Sequence, residues 1–356
     1  MHSLTLFHGF IRAAMSTIFE VAQHAGVSHM TVSRYFNQPD KLSPATRVRV
    51  RKAVEALQFI PNASAQSLAK GSTRLLALIV TNIANNFCTS VASGVEEVVR
   101  AHGYTLILCN TEGAEESERV YLDMLISRRV DGLLLMPAPG SENHLDMLQQ
   151  RKIPLVLVDL DVPGVDADFV YGDSFDGGLR LTRHLIAQGC RDIAFVGGQA
   201  GLSSLEQRLA GYRAAMAEAG LPERVYLQRY DLESGRAITK GLLEKEHLPE
   251  GLVAASNHVA AGALMTLREQ GLRVPEDIAI ASFDDIELAS LIDPFLTAVV
   301  QPAREMGRKA TELLIERIEG YKGPVRRHCF PVAFIERRST QRAAAPPVPL
   351  DHDVPE

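Results

Sequence analysis

TIFEVAQHAGVSHMTVSRYF, residues 17–36, is the stretch whose reading decides the architecture of the N-terminal part of the chain. Thr17 and Glu20 form an S/T-x-x-E capping box, in which the hydroxyl satisfies a first-turn amide and the carboxylate reaches back to the cap amide. A helix therefore starts at Ile18. Ile18, Val21, Ala22 and Ala25 share one apolar face, and Gly26 supplies the left-handed residue that ends the helix. Ser28 caps a second helix from His29 to Phe36, with Val32 and Phe36 facing inward and His29, Met30, Ser33 and Arg34 facing out. Two short helices joined by a Gly-containing turn form a helix-turn-helix, whose second helix enters the major groove of DNA by its N-terminal residues. That geometry sets His29, Met30 and Arg34 against base edges. Thr17, Ser28, Thr31, Ser33 and Asn37 complete the candidate DNA-facing set. A helical hairpin inside another kind of domain is the alternative, and the neighbouring chain decides between them.

The distribution of charge favours DNA. The whole chain carries -6, which taken globally argues against a polyanionic partner. Residues 15–74, however, hold eight Lys and Arg against three Asp and Glu, a surplus of five, and residues 75–356 hold the compensating deficit of twelve. A basic head on an acidic body is the footprint of a DNA-reading domain joined to a domain that stays off DNA. Ser43 and Pro44 open a third helix with Val48, Ala53, Val54 and Leu57 as its buried stripe, ending at Pro61. Its Arg47, Arg49, Arg51 and Lys52 are either a solvated face or phosphate contacts.

The segment PNASAQSLA, residues 61–69, is small, polar and too short to be a stable helix alone. At this point the chain resembles the lactose/galactose-repressor family of bacterial regulators, through EVAQHAGVSHMTVSRYFN and PNASAQSLAKGSTR together, and the resemblance runs to about Thr340. It implies a hinge helix that folds on operator DNA, with Asn62, Ala65, Leu68 and Ala69 as contacts and Leu68 as a wedge between base pairs. An apolar side chain can unstack a base step, and the bent duplex then wraps more protein. A leucine packed on the body is the alternative.

From Leu75 onward apolar strands alternate with helices. Strands are expected at 75–80, 105–109, 132–136, 154–159, 170–173, 193–198, 225–230, 252–256 and 278–285, with TAVVQ (297–301) among the returns that link two lobes. The fold class is thus α/β: a three-helix head plus a two-lobed core of parallel sheets resembling periplasmic binding proteins, with a ligand between the lobes where strand C-termini meet. The expected domains are 15–60 for the head, 61–73 for the hinge and 74–340 for the core. Residues 1–14 read as a start-site extension ahead of Met15, and 341–356 as a disordered tail.

Strand ends carry Asn85, Phe87, Asp159, Tyr230, Asn257 and Asp284, and Arg208 sits early in a helix. Carboxylates, amides and a guanidinium pair with hydroxyls while an aromatic face covers a sugar ring, so the set suits a polyhydroxylated ligand. The family resemblance implies the same contacts: EQRLAGYRAAM places the effector-gripping arginine at Arg208, and ASFDDIELA its aspartate at Asp284. Asn257 and Tyr230 match an amide and an aromatic wall, and Asp159, Ser204, Asn85 and Phe87 match less specific positions. Two departures affect ligand identity. His258 follows Asn257 where the family has aspartate, and Asn85-Asn86-Phe87-Cys88 replaces Asn-Pro-Phe-Phe. Each residue also has a plain structural alternative: Asp284 or Asp285 as a turn cap, Tyr230 as core, Arg208 as a surface partner of Glu206.

Cys88, Cys109, Cys190 and Cys329 show no C-x-x-C or His pairing, so no metal site, disulfide framework or cofactor is expected. The motifs H-E-x-x-H, G-x-S-x-G and G-x-x-x-x-G-K-[ST] are absent, and Gly177-Gly178 and Gly197-Gly198 read as turns or close approaches rather than a dinucleotide loop. No apolar run approaches the ~20 residues that span a bilayer. The reading is a cytoplasmic homodimeric regulator, a repressor of sugar or sugar-acid utilisation genes that binds palindromic operator DNA under control of a small effector. The competing classes are a sugar receptor without DNA function and a sugar-metabolising enzyme.

Overall fold

The computed structural model describes residues 16–60, 71–245 and 248–342. The expectations for residues 1–14, for Asn62, Ala65, Leu68 and Ala69 of the hinge, and for the tail from residue 343 lie outside these residues. The chain divides into two compact units at Thr73–Arg74, each described here by itself.

The head is three helices, α1 (Ile18–Ala25), α2 (His29–Asn37) and α3 (Pro44–Ala56). The capping box is complete: Thr17 N donates to Glu20 Oε2 at 2.7 Å and Glu20 N to Thr17 Oγ1 at 3.3 Å, and Gly26 is left-handed at φ 63°. Ser28 and Ser43 cap α2 and α3 through Thr31 N and Thr46 N. Val21, Ala22, Ala25, Val32, Val50 and Ala53 form the core. Val48 was expected in the α3 stripe and is instead 42 % exposed. The face that turns inward is Val50, Ala53, Val54 and Leu57, an unbroken i, i+3, i+4, i+7 series from which Val48 is rotated away. The helix also ends before Pro61. Gln58 takes φ +46°, Phe59 N returns to Val54 O at 3.0 Å and Gln58 N to Glu55 O at 3.2 Å, a Schellman closure.

The second unit has two lobes with one six-stranded sheet each. The first sheet holds β1 (Leu75–Val80), β2 (Thr105–Asn110), β3 (Gly132–Leu135), β4 (Leu155–Val158), β5 (Asp168–Gly172) and β11 (Arg327–Phe330), ordered β11-β5-β4-β3-β1-β2 and parallel throughout. The second holds β6 (Ile193–Val196), β7 (Arg224–Tyr226), β8 (Gly251–Ala254), β9 (Ala279–Phe283), β10 (Thr297–Val300) and β12 (Ala333–Ile335), ordered β12-β10-β9-β8-β6-β7, with only β12 antiparallel. Helices cover both faces: α4 (Asn86–Ala101), α5 (Glu115–Ser127) and α6 (Asp146–Gln150) in the first lobe, then α7 (Ser174–Ala187), α8 (Ser203–Glu218), α9 (Leu232–Leu243), α10 (Asn257–Glu269) and α11 (Glu287–Ile292) in the second. The chain then returns to the first lobe with α12 (Ala303–Ile318).

TAVVQ is therefore not a return. Its first four residues are β10, hydrogen-bonded beside β9, and the crossing begins at Gln301. The chain passes between lobes there, at Gly172–Ser174 and at Pro331–Val332. The expected strand 75–80 is matched residue for residue and 105–109 extends to Asn110, but several others are shorter than their apolar runs, most of all 225–230, where only Arg224–Tyr226 pairs and Tyr230 falls in the loop beyond.

Three helix pairs pack backbone to backbone through reciprocal glycines. A Cβ at Gly178 would run into Arg208 O and one at Gly211 into Phe175 O; Gly94 and Gly307 do the same for α4 and α12, and Gly235 and Gly262 for α9 and α10. The α7–α8 pair sets the height of Arg208 above the sheet. We expect Gly211→Ala to lower stability by about 2 kcal/mol through this overpacking, measured by urea unfolding of the second unit; an unchanged midpoint would show that the helices separate freely.

Candidate functional site

The head presents its candidate DNA contacts unequally. His29, Met30 and Arg34 are exposed, Met30 at 57 %. Thr31 and Ser33 are half-buried, and Thr31 Oγ1 shares a hydrogen bond with Ser28 Oγ at 2.9 Å. Asn37 turns back on its own helix, donating to Ser33 O at 3.0 Å, while its Oδ1 is closed off from solvent. Thr17 is exposed but its hydroxyl is occupied with Glu20. One residue escaped the sequence reading: Phe19 is 65 % exposed and its ring lies 5.2 Å from that of His29. The signal was available, since Phe19 is an aromatic off the apolar stripe of α1. Arg47 and Arg51 lie 3.8 Å and 3.9 Å from Asp40 and Glu55, so part of the basic face of α3 is paired within the head.

In the second unit a cavity of about 190 Å³ opens between the lobes. It lies at the C-terminal ends of β1 and β3 in one sheet and β6 and β8 in the other, where strand order reverses in each doubly wound sheet. The first lobe contributes Asn85, Phe87 and Asp159; the second contributes Ser204, Arg208, Tyr230 and Asp284. Asn85 also caps α4, accepting from Phe87 N at 3.0 Å. Asn257 is not on the wall. Its Nδ2 donates to Asp285 O at 3.0 Å and its Oδ1 accepts from His258 N at 2.8 Å, so the amide braces the loop after β9.

The two aspartates are counterparts. Asp159 follows β4 and Asp284 follows β9, at φ +67° and +62°, and their amides donate to Val170 O and Val299 O on the neighbouring strands at 2.9 Å and 2.8 Å. A left-handed aspartate at the end of a buried strand is a strained arrangement, and two at one cavity direct attention to what they hold. Arg208, whose charge opposes that of both, is 4 % exposed, its guanidinium 3.7 Å from the centre of the Phe283 ring and its Nη1 donating to Ala255 O at 2.8 Å. Burial raises the Asp159 carboxyl to about 6, opposed by Arg208 and reinforced by Asp284. Burial likewise raises Asp284 and lifts the Tyr230 hydroxyl to about 12.

The cavity is polar and incompletely paired. Asp159 Oδ1, Arg208 Nε and Tyr230 Oη, all on lining residues, are closed off from solvent without a hydrogen-bond partner. Gln301 was missed from sequence, although a glutamine ending a buried apolar strand is a usable signal; its Nε2 donates to Asp284 Oδ1 at 3.3 Å. Among the described residues no cluster of His, Cys, Asp and Glu could hold a metal ion, and no helix is long and apolar enough to cross a membrane.

Residues 17–62 match the family model for bacterial regulatory proteins of the lacI family, and residues 182–340 that for a periplasmic binding protein-like domain. The HTH-type transcriptional repressor PurR of Vibrio campbellii (strain ATCC BAA-1116) is 38 % identical over 309 residues, 86 % of this chain and 92 % of that protein. The chain belongs to the lacI family. Among solved structures, the lac repressor dimer bound to operator and the anti-inducer ONPF aligns with TM-score 0.81 at 26 % identity, over 91 % of this chain and 99 % of that one. The CelR–cellobiose complex, a transcriptional regulator, aligns with TM-score 0.68 at 31 % identity, over 91 % and 99 %. This lacI-family protein is a ligand-controlled transcriptional repressor and not an enzyme, and repressors of its family bind operator DNA and a small-molecule effector.

Asp159 gives the repressor a pH signature. Its folded-state pKa, about 6, lies above the ordinary 3.8, so between those values the folded chain keeps a proton that the unfolded chain has lost. Stability contributed by this group therefore falls as pH rises through the window, and is lost in full above about 6. Asp159→Asn lacks that cost. Its stability relative to wild type should rise by up to about 3 kcal/mol between roughly pH 4 and pH 7, measured as the difference in urea midpoints of the ligand-free proteins. A difference that does not change with pH would show that Asp159 ionises at no cost.

Proposed function

We propose that the repressor reads a palindromic operator through two copies of α2 and that its effector is an uncharged sugar held between the lobes. The observation that carries the effector assignment is the set of three solvent-excluded polar atoms without partners on the cavity's lining residues, Asp159 Oδ1, Arg208 Nε and Tyr230 Oη. Each such atom costs about 1–3 kcal/mol when left unpaired, so a ligand that supplies both donors and acceptors is strongly favoured. A polyol does so; an apolar ligand does not. Phe87 offers the aromatic wall for a ring face.

Charge separates neutral sugars from sugar acids. Asp159, Asp284, Glu112 and Asp231 line the cavity against Arg208 and Arg229, and Arg229 is drawn to Asp231 at 3.3 Å. An anionic ligand would add to a carboxylate surplus in a site where burial already raises two of those groups. Cellobiose in the related CelR complex agrees with an uncharged sugar.

For DNA, the exposed His29, Met30 and Arg34 at the front of α2 supply base readout, Phe19 adds apolar contact beside them, and Leu68 acts as the minor-groove wedge. Sugar occupancy changes the relation of the two lobes, and with it the pairing of the hinge segments in the dimer. Since its target is chromosomal DNA, the repressor works in the cytoplasm.

Two measurements test this reading. In a gel shift with a palindromic fragment from the region upstream of its own gene, Arg34→Ala should weaken specific binding by about 1–3 kcal/mol and Leu68→Ala should weaken specific more than non-specific binding. Equal losses on both DNAs would remove these residues from sequence readout. In thermal-shift pairs of glucose with gluconate and galactose with galacturonate, a neutral sugar should raise the midpoint and Arg208→Ala should abolish the rise. A rise with only the acids would overturn the charge argument.

A further inference from the structure

A second cavity, of about 200 Å³, adjoins the first. Asp159 and Ser204 line both. Beyond them the second cavity is bounded by Asp161, Tyr171, Asp173, Phe175, Gln207 and Arg327, which come from the loop after β4, from β5 and β11, and from the starts of α7 and α8. Its walls have the chemistry of a saccharide site. Phe175 leaves 39 % of its surface exposed in the first turn of α7, an aromatic facing open space beside carboxylates. Tyr171 stacks on Phe169 with ring centres 4.6 Å apart and planes 10° apart, and the Arg327 guanidinium covers Phe169 at 5.0 Å, so this aromatic flank is rigid. Asp161 pairs with Arg327 at the outer end, and its amide donates to Ser203 Oγ at 2.8 Å, joining the first lobe to the second along the cavity. At the junction lies Asp159 Oδ1, closed off from solvent and unpaired.

We propose that this second cavity is a glycosyl subsite, so that the effector is a disaccharide with one ring in each cavity and Asp159 and Ser204 holding the hydroxyls next to the glycosidic bond. The two cavities are of similar size, about 190 and 200 Å³, which suits two rings of like dimensions better than one ring and a small substituent. Phe175 covers the apolar face of the second ring while Asp173 and Gln207 take its hydroxyls. The assignment rests on the sugar reading above, and the test keeps the two separable.

Titration calorimetry of the full-length repressor with cellobiose, lactose, maltose and trehalose, and with glucose and galactose, reads the difference directly. Wild type should bind a disaccharide more tightly than either constituent monosaccharide. Phe175→Ala should cut the affinity for that disaccharide roughly three- to tenfold and leave monosaccharide binding within about twofold, whereas Arg208→Ala should abolish both. Phe175 is exposed, so the variant folds, and its unfolding midpoint verifies this. If the disaccharide gains nothing over its monosaccharides, or if Phe175→Ala leaves the gain intact, the second subsite is refuted while the sugar reading stands. Binding of none of these sugars would refute both.

Discussion

The arrangement on which the ligand site depends is a buried guanidinium facing carboxylates from opposite lobes. Arg208 is removed from water, held over the Phe283 ring and tied by one nitrogen to Ala255 O. Asp159 from the first lobe and Asp284 from the second provide its opposing charge, and both are pushed toward the neutral form by their burial. A charge taken out of water is tolerated only when its surroundings are nearly complete. Here they are incomplete by three polar atoms on the cavity's lining residues, and the proposed sugar would supply the missing partners.

Placing Arg208 there is a matter of backbone. Its carbonyl lies where a side chain on Gly178 would have to be, so α8 can sit low over the sheet only because α7 has no Cβ at that point. Gly177 does the same beneath it, since a Cβ there would meet the Phe283 ring that supports the guanidinium. Gly177-Gly178 are thus the close approach, whereas Gly197-Gly198, at φ +89° and +90°, form the turn after β6, so both alternatives read for these pairs from sequence occur. One dipeptide type serves two purposes, and only the tertiary neighbours distinguish them.

Much of this was legible in the sequence where one local rule governs the outcome. The capping box at Thr17, the left-handed Gly26 and the apolar strands from Leu75 to Phe283 all obey such rules. Misreadings arose where several rules compete. Val48 and Val50 both fit an apolar stripe, and the packing of α3 on α1 chose Val50. Arg-His-Cys-Phe of β11 has no apolar alternation, because an edge strand at the border of a sheet needs little burial; α12 is amphipathic through Met306, Ala310 and Leu314 but follows a lobe crossing that no local pattern marks. In the cleft, Arg208 and both aspartates were named from sequence and lie on its wall. Asn257 lies off it, because its amide is consumed by Asp285 and His258, and Gln301 has its place at the site only through the crossing it begins.

The two lobes contribute unequal stiffness to the cleft. Asp284 accepts a hydrogen bond from Gln301, and its neighbour Asp285 is clamped by Arg337 at 2.8 Å, by Ser290 and through its carbonyl by Asn257. Although burial opposes it, the Arg337 clamp holds the Asp285 carboxyl below the usual range, a sign of a preformed ion pair. Asp159 has no comparable brace; its Oδ1 is unpaired and its carboxyl is raised to about 6. In the proposed coupling, a ligand gripped by the second lobe would gain most from whatever brings Asp159 and Phe87 toward it, with the first lobe as the moving part and the crossings at Gly172–Ser174, Gln301 and Pro331–Val332 as the pivot. The first lobe begins at Leu75, directly after the segment that joins it in sequence to the DNA-reading head. On that proposal a differential affinity for two lobe arrangements would become a differential affinity for DNA through that segment.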